Sequence, residues 1–257
     1  HHHLFKHILV ALDGSDESWL LFDHLLQNTH FDQDHILGLH VAADPTELNS
    51  EFIRAMRRRF YKGIQAIGIT GEFAVEVGSN PIQIINKRAA WVDLVVVRRT
   101  RQPGNQPLSR TSPDLKTLVQ HCPRPLVVMP YGSQSDQSRA ILSYDGSPKA
   151  DEALFIATYL TSRWAKELTV VTVETAYTSP AAMERAQRYL TEHGLTDVNY
   201  VLRKGPIADM VLETAQENDS NLLFMGGFSF RSLRQLTLGS SAERILLEFP
   251  HPMWICR

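Results

Sequence analysis

Arg139-Ala140-Ile141-Leu142-Ser143-Tyr144-Asp145-Gly146-Ser147 is a short apolar run closed by a turn triplet, and the chain contains it twice. The earlier version is His7-Ile8-Leu9-Val10-Ala11-Leu12-Asp13-Gly14-Ser15, so that Asp145 lies 132 residues after Asp13. Other features return in the same order. Pro81-Ile82 reappears as Pro206-Ile207 at an offset of 125, and Leu94-Val95-Val96-Val97 as Leu222-Leu223-Phe224-Met225 at 128. Pro123-x-Pro125 reappears as Pro250-x-Pro252 at 127. A period of this length is a whole domain rather than a solenoid unit. Of the 257 residues, His1 to His3 read as a tag remnant and are set aside, leaving 254, twice 127. The polar stretch 132–138 reads as a linker between a first domain, 4–131, and a second, 139–257.

Within each copy, short continuous apolar runs alternate with segments of helical period. This is the pattern of βαβ units around a parallel sheet covered on both faces. The first copy gives strands near 7–12, 35–41, 72–77, 93–98 and 125–129; the second near 139–144, 168–174, 197–203, 221–226 and 252–256. Ile207, Met210, Val211 and Thr214, and likewise Ala242, Ile245, Leu246 and Phe249, predict helices with one face on the sheet. Pro206 suits a first helical turn. Each copy is therefore expected to be a five-stranded, doubly wound α/β domain.

Composition narrows the function. The chain is 43% hydrophobic and 21% charged with a net charge of −2, which gives no general attraction to nucleic acid or anionic lipid. No apolar stretch approaches the roughly 20 residues that span a bilayer, and no cleavable signal pattern precedes Phe5. Cys122 and Cys256 are too few and too far apart for a disulfide framework or a zinc site, and no histidine shows metal-ligand spacing. The expectation is a cytoplasmic protein with no nucleic-acid partner, no membrane and no metal. The basic run Arg54-x-x-Arg57-Arg58-Arg59-x-x-Lys62 is interleaved with Phe52, Ile53, Met56, Phe60 and Ile64, which marks the wet side of a half-buried helix.

Open α/β sheets bind ligands beyond the carboxyl ends of their strands, where strand order reverses. Three features of the second copy fall there. Asp145-Gly146-Ser147 closes the first strand; its plain reading is a strand-to-helix turn with a serine cap. Gly226-Gly227-Phe228-Ser229-Phe230-Arg231 follows the fourth strand, with Arg234 just beyond, and Leu238-Gly239-Ser240-Ser241 precedes the last helix. Glycines admit close approach of backbone N–H groups to phosphate, and a helix start adds donors and a dipole. No nucleophile elbow or Walker loop is present.

These residues resemble the universal stress protein family, and the similarity extends over nearly the whole chain as two fused domains. Nucleotide-binding members carry Gly-x-x-Gly, nine residues, then Gly followed by Ser or Thr. Here Gly226, Ser229, Gly239 and Ser240 occupy those places, with serine where the second glycine is usual. Asp145 matches the family's aspartate after the first strand and Val173 its nucleobase-contacting valine. The resemblance implies a Rossmann-like, adenine-nucleotide alpha-hydrolase-like fold and a stress-response binding module without a dedicated catalytic apparatus. Its ligand would be ATP, a related adenine nucleotide or another small molecule, with magnesium present only alongside nucleotide. The implied site comprises Asp145, Val173, Gly226, Gly227, Ser229, Arg231, Gly239, Ser240 and Ser241. The resemblance also implies that Leu126–Met129 and Met253–Cys256 meet to form an intramolecular pseudo-dimer; association into a homodimer is left open.

The first copy departs from this pattern. Arg98 stands where Gly226 does, and Ser112-Pro113 where Gly239-Ser240 does. Asp13 and the His40-Val41 pair survive, leaving a degenerate site of Asp13, Val41 and Arg98 that is structural or takes a different ligand. Arg98, Arg99, Arg101 and Arg110 read either as another anion pocket or as a solvated loop rich in Pro, Asn and Gln. An enzymatic alternative also stands, a nucleotide-hydrolysing protein acting as a weak ATPase or an adenylate-forming enzyme of the same broad fold. Asp13-Gly14-Ser15-Asp16-Glu17-Ser18 is faintly similar to the Ser-Gly-Gly-x-Asp-Ser loop of adenylate-forming enzymes, though Asp145-Gly146-Ser147-Pro148 does not extend the match.

Overall fold

The computed structural model describes residues 4–27, 35–99, 113–130, 132–133, 135–164, 167–227 and 241–257. These form two compact units, the first from residues 4–99 and 121–132, the second from 113–120 and 133–257.

In the first unit the parallel strands are β1 (His7–Ala11), β2 (His35–Ala42), β3 (Thr70–Val77), β4 (Leu94–Arg98) and β5 (Leu126–Met129), in the order β3-β2-β1-β4-β5. The helices that follow the first three are α1 (Asp16–Gln27), α2 (Glu51–Ala66) and α3 (Pro81–Ala89). α4 (Pro113–His121) follows β4 in the chain and lies, apart from His121, in the second unit. There Lys116 Nζ pairs with Glu243 at 3.4 Å.

The second unit repeats the plan with β6 (Arg139–Ser143), β7 (Glu167–Glu174), β8 (Val198–Lys204), β9 (Leu222–Gly226) and β10 (Met253–Cys256), in the order β10-β9-β6-β7-β8. Its helices are α5 (Pro148–Trp164), α6 (Pro180–Glu192), α7 (Ile207–Glu217) and α8 (Ser241–Glu248). Both sheets are parallel and doubly wound, as the repeat predicts. Strand order reverses between β1 and β4 in one unit and between β6 and β9 in the other.

The central strands are buried along their length: Ile8, Leu9 and Val10 in β1, Leu94 to Val97 in β4, and Leu222 to Met225 in β9. Helices on both faces demand such continuous apolar runs. The edge strand β8 contains no buried residue, which is why it tolerates Arg203 and Lys204.

Some expected helical faces turn out rotated. In α7 the buried stripe is Ala208, Val211, Thr214 and Ala215, while Ile207 is 38% exposed at the helix start. Pro206 is the N-cap rather than a first-turn residue, with extended φ −62° and ψ 125°. In α2 the stripe is Ile53, Met56, Phe60 and Ile64, and Phe52 stands outside it, 49% exposed. The α2 arginines are largely engaged within the protein. Arg54 and Arg58 both reach Glu51, and Arg59 lies over the Trp19 ring at 4.6 Å while touching Asp23 at 3.3 Å.

Candidate functional site

Each unit places the same turn at its point of strand reversal. In the second unit, the Ser147 N–H donates to Asp145 Oδ1 at 2.9 Å, and Ser147 Oγ accepts from the Ala150 N–H at 3.3 Å, capping α5. In the first, the Ser15 N–H donates to Asp13 Oδ1 at 3.0 Å and Ser15 Oγ accepts from the Ser18 N–H at 3.2 Å. The glycine between is required in both, because Gly14 and Gly146 have φ of +85° and +77°. The plain reading of Asp-Gly-Ser as a capped turn is thus correct as local structure. It leaves open what the second carboxylate oxygen does.

That oxygen separates the units. Asp13 Oδ2 accepts a 2.6 Å hydrogen bond from Arg98 Nη2, the arginine at the end of the neighbouring β4. Burial works to raise the Asp13 pKa, but the Ser15 hydroxyl and N–H together with the Arg98 guanidinium outweigh it and hold the carboxyl at about 2. A further group closes over the first turn. A Cβ on Gly14 would lie 2.3 Å from the Phe52 ring, and that ring meets His40 edge-on at 5.8 Å. His40 itself is buried, its Nδ1–H donating to the Leu12 carbonyl at 2.8 Å. Beside it, Val41 is half-buried near the end of β2.

In the second unit no described basic residue lies within ion-pair distance of Asp145, which is exposed. The residue in the place of Arg98 is Gly226, at the end of β9. A Cβ there would come within 3.0 Å of the Ala150 nitrogen and of Lys149, so the first turn of α5 rests directly on the strand end. The Gly227 N–H donates to the Cys256 carbonyl, continuing the β9–β10 ladder by one residue. Both glycines have ordinary φ; close packing, rather than left-handed backbone, accounts for Gly226. Val173 is buried near the end of β7, and Ser241 opens α8 half-buried. The structure brings Asp145, Gly226 and Gly227 to one end of the sheet, with Val173 on the adjacent strand. Ser229, Arg231, Gly239 and Ser240 lie outside the described residues, as do Arg234, Arg101 and Arg110.

Sequence reasoning missed the groups that brace the second turn. Tyr144, buried at the end of β6, donates its hydroxyl to Asp151 Oδ1 at 2.6 Å. Arg185 of α6 pairs with the other Asp151 oxygen and donates to the Gly146 carbonyl at 3.4 Å. Burial, then the Asp151 hydrogen bond, push the Tyr144 phenol well above its usual range. Of the expected degenerate site, Asp13 and Arg98 are brought together as an ion pair. The signal was present, since the copies keep the aspartate while one exchanges glycine for arginine at the neighbouring strand end. Cys256 is buried, and burial, followed by the Glu152 carboxylate, raises its thiol pKa. Among the described residues no His, Cys, Asp or Glu cluster has the form of a metal site, and no helix is long and apolar enough to cross a membrane.

A doubly wound parallel α/β domain, repeated, with an aspartate turn at each switch point is the class that the fold defines. The family model for the universal stress protein family matches residues 4–130 and again 138–257, and the chain belongs to that family. Among solved structures it is similar to a universal stress protein from Archaeoglobus fulgidus, with a TM-score of 0.78 and 18% identity over 98% of both chains. It is likewise similar to a protein of Pseudomonas aeruginosa assigned to the same family, with a TM-score of 0.71 and 17% identity over 98% of this chain and 93% of that one. No curated relative matches the chain.

Proposed function

We propose that the second unit binds an adenine nucleotide, ATP or a close relative, and that the protein acts in stress response by occupancy rather than turnover. The observation that carries this reading is Asp145. It stands exposed at the switch point beside a strand end that is glycine, whereas its counterpart Asp13 is neutralised by arginine. A carboxylate in that position accepts hydrogen bonds from a ribose or an adenine amino group. Gly226 and Gly227 keep side chains away from the approach of a phosphate chain, and Ser241 offers a hydroxyl at a helix start. Val173, at the end of the adjacent strand, supplies apolar surface for a base. Ser229, Arg231, Gly239 and Ser240 complete the proposed loop, with magnesium arriving only with the nucleotide.

The first unit, on this reading, is a structural partner or takes a ligand of different charge. A ligand at the second unit shifts the protein toward whichever conformation or partner surface it favours. The test is a calorimetric titration of the purified protein with ATP, ADP, AMP and adenosine, alongside a phosphate-release assay. Saturable binding with no turnover is expected. Absence of heat with every nucleotide at millimolar concentration would overturn the proposal, and steady phosphate or pyrophosphate release would replace it with an enzymatic one.

A further inference from the structure

The helix that follows the second strand meets the turn glycine differently in the two units. In the first, a Cβ on Gly14 would lie 2.3 Å from Phe52 Cζ, 2.8 Å from Phe52 Cε2 and 3.2 Å from Met56 Sδ, so the Phe52 ring rests against the glycine. In the second, among the described residues, a Cβ on Gly146 would meet only Ala182, at 3.3 Å from its Cβ and 3.9 Å from its Cα. The strand residue is exchanged as well. His40, whose ring meets Phe52 edge-on, corresponds to Thr172, 132 residues later. Thr172 is fully buried, and its hydroxyl has no hydrogen-bond partner among the described residues. One unit sets an aromatic pair where the other sets a threonine and an alanine.

Phe52 is not placed there by the burial of its helix. The stripe that α2 buries is Ile53, Met56, Phe60 and Ile64, and Phe52 lies outside it. The ring is held by a fixed helix start, where Ser50 Oγ accepts from the Ile53 N–H at 3.2 Å. From that start it touches two strand ends at once, the glycine after Asp13 beyond β1 and His40, next to Val41, on β2. The matching ends of the paired strands β6 and β7 lead to Asp145 and Val173, the groups proposed for ribose and base. A flat aromatic group therefore already covers this place in the first unit, whereas the second leaves it to a methyl group.

We infer that the residue facing the turn glycine gates the adenosine end of each switch point: Phe52 fills that end in the first unit as a built-in plug, and Ala182 keeps it free in the second. The inference rests on the proposed nucleotide site and names the residue that decides which unit takes the nucleoside moiety. It is separate from the Asp13–Arg98 pair, which acts by charge, because a ring excludes a ligand by volume.

Calorimetric titrations of adenosine and ATP into the full chain compare the wild type with A182F, with Q187F, and with F52A combined with R98G. Thermal melting verifies that each variant is folded, and A182L replaces A182F should the latter not be recovered. A182F should weaken adenosine and ATP by the same factor, about tenfold or more, since the ring blocks the part they share. Q187F, an aromatic on the exposed side of the same helix, should leave both unchanged. F52A combined with R98G should raise the number of adenosine sites per chain from one to two. Unchanged affinity in A182F, while the wild type binds, overturns the inference and leaves the nucleotide site standing. An equal loss in Q187F also overturns it, because the effect would then belong to the helix rather than to the place over the glycine. A single adenosine site in the combined variant overturns the plug in the first unit. If the wild type binds neither ligand, the nucleotide site itself fails and the inference with it.

Discussion

The two units share an aspartate turn and differ in what faces it. In the first, Arg98 reaches across from β4 to Asp13 and Phe52 lies over Gly14. In the second, Gly226 ends the corresponding strand, and the space above Gly146 is bordered by the small Ala182, whose Cβ would be 3.3 Å from a Cβ on the glycine. The comparison teaches that a retained aspartate does not by itself retain a site. Its charge is available to a ligand only where the neighbouring strand end does not neutralise it. Among the described residues, one copy faces its aspartate with an arginine and the other ends the matching strand in glycine.

The largest effect that would break this comparison concerns Asp145. D145A should weaken ATP binding by ten- to a hundredfold, the range of one or two hydrogen bonds to a charged group, while D13A should leave it unchanged. Calorimetry on both variants measures this. Equal effects would show the units to be equivalent after all.

Next comes packing at the strand end. A Cβ at Gly226 meets backbone and stem atoms of α5 at 3.0 Å, so G226A should destabilise the second unit by about 1–3 kcal/mol through overpacking. Urea denaturation followed by tryptophan fluorescence measures the shift. An unchanged midpoint would mean that α5 yields easily, and that Gly226 is there for the ligand rather than for the fold.

A smaller effect sharpens the first unit. R98A should let the Asp13 pKa climb from about 2 toward its ordinary value of 3.8, read by carboxyl NMR titration. The sign for stability follows from the depressed folded value. The carboxylate stabilises the fold above its unfolded pKa near 3.8, and that contribution is lost as pH falls toward 2. The pair is half-exposed, Asp13 at 52% and Arg98 at 29%, so the contribution is small and screened by salt. R98A should therefore flatten the fall in melting temperature between pH 5 and pH 2.5 only slightly. A slope as steep as that of the wild type would show Ser15 alone to hold the carboxylate.

Most of the fold was legible because strand periodicity and repeat spacing report directly on a sheet buried on both faces. β9 at Leu222–Gly226 and β10 at Met253–Cys256 lie within a residue of where the apolar runs place them. Helix faces were less legible. Ile207 and Phe52 are as apolar as their buried neighbours, and only three-dimensional packing decides that one is exposed at a helix start and the other lies on a turn glycine. Of the site, Asp145, Val173, Gly226 and Gly227 could be placed from the strands they end. The Tyr144–Asp151–Arg185 brace joins residues 7 and 34 positions apart, and such pairings depend on which helix becomes a neighbour. Sequence spacing alone does not carry that information.

The most direct measurement of the central claim is photo-crosslinking with an azido-adenine analogue of ATP, followed by peptide mapping and a count of label per chain. The account expects one site per chain, saturable and competed by ATP, with label confined to peptides between residues 139 and 257. Label on the peptides that carry Asp13 and Arg98, or two competed sites per chain, would contradict it.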